Sequence, residues 1–267
     1  MKKVVFSDID RTLAIKKVVT KENKDAINKF ILKGNEFILV TGRSISYARN
    51  IAKENNTSKY IICNNGSVIY DYINNKTIYS DSINYDLLLK LINITKEYNA
   101  KINICTINND YTNKDIRHDQ ILIDLGNELL KEKIITQVVI VHPNADVLKE
   151  IIKKIDDIDG IKVNNICRKI YDETFIKNGD LWIDVTAFNV SKGNAIIKML
   201  EYLNVDLKDS IRIGDDLNDL PMFLDEGVNV AVSNAFPKLK EYADYITDSC
   251  ENSGVSKVID KILNNEL

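Results

Sequence analysis

Apolar positions along the chain fall into two rhythms. The first begins at Lys3–Phe6, a short apolar run that ends in acids. Thr20–Lys33 then places Ala26, Ile27, Phe30 and Ile31 on one face, with Thr20 suited to the N-cap and Gly34 to the exit, which predicts a helix. Glu36–Val40 predicts a short buried strand. Thr41-Gly42-Arg43-Ser44 leads from it into a helix through Tyr47, Ala48 and Ile51, and Tyr60–Cys63 predicts a third strand. Val68–Ser80 reads as a hairpin turning at Asn74-Asn75. Strand, helix, strand, helix, strand is the signature of a parallel sheet with crossover helices.

The second rhythm occupies residues 82–187. Helices are predicted at Tyr85–Tyr98, at Arg117–Lys131 through Ile121, Ile123 and Leu129, and at Asn144–Ile155. Strands are predicted at Lys101–Thr106, Gln137–Val141 and Ile161–Ile166, the last after the turn Asp159-Gly160. Leu181–Thr186 alternates Leu181, Ile183 and Val185 against Trp182, Asp184 and Thr186, the mark of a half-buried strand. The segment reads as an antiparallel sheet with helices on one side, inserted into the first domain. Beyond it the βα rhythm resumes. Ser191 caps a helix through Ala195, Ile196, Met199 and Leu200, and strand Ile211–Ile213 runs into Gly214-Asp215-Asp216. Short strands at Val228–Val232 and Tyr245–Ile246 and a helix at Val255–Leu263 follow. The expected architecture is therefore α/β: a parallel-sheet domain from residues 1–81 and 188–267, interrupted by an α+β module at 82–187.

Composition narrows the function classes. With 267 residues, 45% of them hydrophobic, the chain can bury a large core without covalent staples. A formal charge of -3 leaves no basic footprint for nucleic acid. Cys63, Cys105, Cys167 and Cys250 lie far apart with no CxxC pair, and His118 and His142 are the only histidines, so no zinc site is expected. Met1-Lys2-Lys3 precedes a run too short and too soon acidic for a signal peptide, and no apolar run approaches a membrane span. The expectation is a cytoplasmic protein that engages neither membrane nor nucleic acid, as a monomer or weak homodimer.

Four clusters carry candidate chemistry, and three of them follow strands, whose carboxyl ends surround the ligand crevice of an open parallel sheet. Phe6-Ser7-Asp8-Ile9-Asp10 places one carboxylate at a strand tip and a second just beyond it. Beside a dication one can serve as ligand and nucleophile while the other exchanges protons, although a solvated acidic turn uses the same residues. Thr41-Gly42-Arg43 offers a hydroxyl and backbone N–H groups at a helix start, suited to a phosphate oxygen, or merely a cap and a turn. Ser191-Lys192-Gly193 puts a lysine in a first helical turn, where the macrodipole disfavours it unless it meets an anion. Gly214-Asp215-Asp216-Leu217-Asn218-Asp219 crowds three acids and an amide together. Such acids repel one another unless a cation or proton intervenes, and oxygen ligands without histidine favour Mg²⁺.

In this order the motifs resemble the haloacid dehalogenase (HAD) superfamily, specifically its Cof-type sugar-phosphatase branch. The resemblance spans nearly the whole chain: DxD at Asp8 and Asp10, Thr41 in VTGR, Lys192 in VSKG and GDxxND at Gly214–Asp219. Further matching stretches are Asn64-Asn65-Gly66-Ser67, Ala231–Ala235 and Thr247–Val255. It implies a Rossmann-like core with a cap domain, and a Mg²⁺-dependent phosphatase of small phosphorylated metabolites. Asp8 is then the nucleophile that forms an aspartyl-phosphate, and Asp10 the acid and base. The metal falls to Asp8, the main-chain carbonyl of Asp10, Asp215 and Asp219; the phosphoryl oxygens fall to Thr41, Gly42, Lys192 and Asn218. Arg43, Asn65, Arg117, His118, Trp182 and Asp184 are candidates to meet the substrate. Arg11 stands where the family usually has glycine, which marks the DxD loop as a departure. A phosphomutase or other phosphotransferase shares such a core, and a non-catalytic phospho-receiver shares the acids and lysine but needs neither Asp10 nor a cap.

Overall fold

The computed structural model describes residues 2–115, 120–124, 130–131, 133–167, 170 and 180–267. The chain divides into two compact units, Met1–Ile78 with Ser191–Leu267, and Tyr79–Val190. No helix among the described residues is long and apolar enough to cross a membrane.

The first unit starts with β1 (Val4–Ser7), followed by a small hairpin of β2 (Ala14–Ile15) and β3 (Val18–Val19). Helix α1 (Lys21–Leu32) is capped by Thr20, whose side chain accepts from the Asn23 amide, and it buries Ala26, Ile27 and Phe30. Strand β4 (Glu36–Val40), helix α2 (Ile45–Glu54), strand β5 (Tyr60–Cys63) and the strands β6 (Val68–Asp71) and β7 (Lys76–Ser80) follow. In the second unit α3 (Tyr85–Glu97), β8 (Lys101–Thr106), β9 (Asp110–Thr112), β10 (Ile121–Leu122), β11 (Ile135–His142), α4 (Ala145–Asp156), β12 (Ile161–Ile166) and β13 (Leu181–Ala187) succeed one another. The chain then returns to the first unit with α5 (Lys192–Leu203), β14 (Ser210–Gly214), β15 (Val228–Val232), α6 (Pro237–Lys240), β16 (Tyr245–Thr247) and α7 (Gly254–Leu263).

The sheet of the first unit has the order β16-β15-β14-β1-β4-β5-β6-β7. From β16 to β5 every pairing is parallel, and β6 turns antiparallel to β5. Successive strands step one way from β1 through β4 and β5, and the other way from β14 through β15 and β16. The chain order therefore reverses at the β1/β14 border, which opens a crevice at the strands' carboxyl ends. Val4, Val5 and Phe6 are fully buried, as a strand covered on both faces requires.

The second unit is a sheet of order β10-β9-β8-β11-β13-β12, antiparallel except between β9 and β10. Its core joins Leu88, Leu91 and Ile92 of α3 and Leu148, Ile151 and Ile155 of α4 to Ile102, Val138, Ile140 and Ile183 of the strands. Two expectations are corrected here. The predicted helix Arg117–Lys131 is not formed over residues 121–122, which pair with Tyr111 and Thr112 as β10. The Ile123 N–H donates to the Thr112 carbonyl at 2.8 Å, so an edge waiting to be paired overrides the helical period. The rest of that expectation lies largely outside the described residues. Strand β13 is also more than half buried: Asp184 and Thr186 are covered and accept hydrogen bonds from the side-chain amides of Asn165 (3.0 Å) and Asn164 (3.1 Å), while Trp182 stays partly exposed.

One buried cation braces the crevice strands. Arg212, in the middle of β14, is fully buried, and burial pulls its pKa down to about 10. Its guanidinium donates to neutral acceptors: Asn229 Oδ1 from Nε (3.0 Å) and Nη2 (2.6 Å), Ser210 Oγ (2.7 Å) and the Leu224 carbonyl (3.1 Å). Asn229→Ala strips two of these bonds from a buried charge and should cost about 2–3 kcal/mol, read as a lower urea midpoint with an unchanged slope.

Candidate active site

Strand β1 ends by delivering Asp8, whose N–H donates to the Ile213 carbonyl of β14 at 2.9 Å, so two central strands set its position. Lys192 is the first residue of α5, and its side chain has no exposed surface. Its ammonium donates to Asp8 Oδ1 at 2.7 Å and to Asp219 Oδ1 at 2.5 Å. Two glycines let flanking loops close on this helix start. A Cβ on Gly66, where φ is +101°, would lie 2.3 Å from the Ser191 carbonyl oxygen; one on Gly193 would lie 1.9 Å from the Pro221 carbonyl oxygen.

The acidic loop after β14 folds on itself. Asp219 Oδ2 accepts from the backbone N–H groups of Asp215 (2.8 Å) and Asp216 (3.0 Å), closing a capping box on the 3₁₀ turn Leu217–Met222. Thr12 donates to Asp215 Oδ1 at 3.1 Å, and Arg11 Nε lies 3.8 Å from Asp215 Oδ2. Asp8, Asp215 and Asp219, all buried, each offer a carboxylate oxygen within 4.8 Å of the others.

Charge there is unevenly matched. Burial pushes the Asp8 carboxyl well above its ordinary pKa; Lys192 pulls it down, and Asp219 and Asp215 push it up again. Burial also opposes the Lys192 ammonium, yet Asp219 first and Asp8 second hold its pKa above the usual lysine value. The ammonium is thus matched foremost by Asp219, and Asp8 and Asp215 crowd together with a deficit of positive charge. A hard dication fits that deficit, because every donor in the set is an oxygen.

Asp10 looks elsewhere. Its Oδ2 accepts from Arg43 Nε at 2.8 Å and its Oδ1 from the Tyr47 hydroxyl at 3.0 Å. Thr41 is buried, with Oγ1 accepting from the Arg43 N–H at 3.1 Å. Asn65, at φ +57°, is fully buried, and its side-chain amide fills the space over Gly42, where a Cβ would meet it at 2.9 Å. Asn218 reaches the same amide at 3.5 Å. Asp8, Thr41, Gly42, Asn65, Lys192, Asp215, Asn218 and Asp219 therefore gather at one end of the parallel sheet, with Asp10 and Arg43 at the rim. Trp182 and Asp184 belong to the other unit, and Arg117 and His118 lie outside the described residues. Tyr47 and Thr12 were not among the expected site residues. Arg43 precedes the extended N-cap Ser44 of α2, so no helical spacing announces its pairing with Tyr47.

The family of haloacid dehalogenase-like hydrolases matches the chain over residues 5–259. The chain belongs to this family. A 5-amino-6-(5-phospho-D-ribitylamino)uracil phosphatase of Bacillus subtilis strain 168 is 25% identical, over 96% of this chain and 94% of that protein. A phosphoglycolate phosphatase of Sulfurisphaera tokodaii is 29% identical, over 98% of this chain and 94% of that one. A haloacid dehalogenase-like hydrolase from Bacteroides thetaiotaomicron has the same fold, with a TM-score of 0.81 at 21% identity, over 98% of this chain and all of that one. Within the superfamily the chain falls in the Cof-type branch, and it is an enzyme of the phosphatase class.

Arg11 stands where the resemblance leads one to expect glycine. Its φ is +68°, the left-handed conformation that glycine adopts freely, so the loop geometry is kept by a residue that takes it at a cost of about 1–2 kcal/mol. The Arg11 N–H donates to the Ala14 carbonyl at 2.8 Å and its carbonyl accepts from Asn234 at 2.9 Å, which hold it there.

The raised Asp8 pKa sets a pH dependence. A carboxyl whose folded pKa exceeds its unfolded value binds its proton more tightly in the fold; the resulting stability is complete below the unfolded pKa and is lost as pH rises through the folded one. In metal-free buffer the urea midpoint should therefore fall as the pH rises above the ordinary carboxylate range, and Asp8→Asn should flatten that fall. An unchanged slope in Asp8→Asn counts against this electrostatic picture.

Proposed function

We propose that the protein is a Mg²⁺-dependent phosphatase that hydrolyses phosphate monoesters of small cytoplasmic metabolites, sugar phosphates among them, through an aspartyl-phosphate on Asp8. The observation that carries this reading is the contact of Lys192 with both Asp8 and Asp219 beside the Asp215 carboxylate. A nucleophilic carboxylate, a buried ammonium and an all-oxygen cation site together match what phosphoryl transfer needs, which is positioning and charge neutralisation.

Asp8 attacks phosphorus in line through a carboxylate oxygen, and the bond to the leaving oxygen breaks. Asp10 gives its proton to the departing alcohol and then takes one from the water that cleaves the intermediate. Lys192 neutralises charge on the phosphoryl oxygens, and Thr41, the Gly42 backbone and Asn218 supply hydrogen bonds. Asp8, Asp215 and the Asp10 carbonyl would hold Mg²⁺, with Asp219 beside them; when bound, the ion supplies electrostatic stabilisation of the phosphoryl group. Asp219 is already engaged by Lys192 and two backbone N–H groups, so its part is chiefly to fix the loop that presents Asp215. The unit Tyr79–Val190 serves substrate specificity, and Arg43 and Asn65 meet the substrate.

A panel of phosphorylated metabolites assayed for inorganic phosphate tests this. Release should require Mg²⁺, vanish in Asp8→Asn and fall by about 10²-fold or more in Asp10→Asn. Activity that survives in Asp8→Asn sinks the mechanism, and phosphoryl transfer to a second sugar in place of release makes the enzyme a phosphotransferase.

A further inference from the structure

The Asp10 carboxylate raises a question that the assignment of acid and base leaves open. It sits in a loop, its side chain is 36% exposed, and nothing in the loop itself fixes which way the carboxyl faces. Both of its oxygens are instead held from one helix and its approach, by Arg43 and Tyr47. We propose that Tyr47 is the positioning residue of the proton-transfer step: the hydroxyl it donates to Asp10 fixes the carboxyl in the orientation from which the leaving oxygen is protonated. This rests on the phosphatase reading above.

Three observations favour Tyr47 over Arg43 for the task. The arginine is long, with a side chain 54% exposed, and a phosphorylated substrate competes with Asp10 for its charge. Tyrosine has two side-chain torsions, and this one is half buried, with its ring near two cations: Lys17 Nζ and Arg43 Cζ each lie 5.2 Å from the ring centroid. The Tyr47 hydroxyl already donates to Asp10 Oδ1 at 3.0 Å, a short reach from a ring that can turn about only two torsions. The proton that moves is the one on Asp10. It passes to the alcohol oxygen as the phosphorus–oxygen bond breaks and the bonding pair stays on that oxygen; Tyr47 keeps its own.

A misaimed acid harms poor leaving groups and spares good ones. An alkoxide must be protonated to depart, whereas nitrophenolate leaves without help. The readout is kcat/KM, which ends at departure of the alcohol, measured for Tyr47→Phe on glycerol phosphate and on p-nitrophenyl phosphate. The glycerol phosphate value should fall about tenfold or more while the p-nitrophenyl phosphate value stays within about twofold. The ratio of the two does not depend on how much of the variant is folded, since both assays share one preparation. Lys53→Ala, an exposed position in the last turn of the same helix, should keep both values within about twofold. Equal losses on both substrates, no loss on either, or the same selective loss in Lys53→Ala overturns the proposal. If the unaltered protein releases phosphate from neither substrate nor from any metabolite of the panel, it is the phosphatase reading that fails.

Discussion

The catalytic unit is organised around one ammonium group that has no access to water. A buried lysine is tolerable only when its charge is met by hydrogen-bonded partners, and those of Lys192 come from distant parts of the chain, Asp8 after β1 and Asp219 after the neighbouring β14. Holding them together requires the start of α5 to sit between two loops, and Gly66 and Gly193 are the residues that allow backbone to approach from each side. The fold thus concentrates negative charge beyond what the lysine balances. That imbalance is what suits the site, on the proposed reading, to a cation and a phosphoryl group.

The same economy appears in the acids. Asp219 spends its carboxylate on Lys192 and on two backbone N–H groups, which shape the loop that carries Asp215. Asp10 is separated from this cluster by its bonds to Arg43 and Tyr47. Two carboxylates only two residues apart therefore live in different electrostatic surroundings. Arg11 keeps the left-handed backbone and brings a half-exposed cation to 3.8 Å from the Asp215 carboxylate.

Much of this was legible in the residues. Apolar runs ending in Asp8, Val40 and Gly214 announced parallel strands whose tips carry chemistry, and a lysine in a first helical turn announced an anion. What stayed hidden depended on contacts distant in sequence. Ile121 and Leu122 kept a helical period yet pair with the open edge of β9, and Asp184 and Thr186 look like an exposed face yet are buried with asparagine partners. Tyr47 reads as one more residue of an amphipathic helix, because only the packing of α2 brings its hydroxyl to Asp10. The hairpin of β2 and β3 turns at Lys16 and Lys17, both at positive φ, and no glycine or asparagine announces it.

The central claim is that Asp8 carries the phosphoryl group. Rapid acid quench of the Asp10→Asn variant during turnover of a substrate the unaltered enzyme hydrolyses, followed by peptide mass spectrometry, tests it directly. A phosphoryl mass increment confined to the peptide containing Asp8, and absent when Asp8 is also replaced by asparagine, is the predicted result. An increment on another residue, or one that persists without Asp8, contradicts the account.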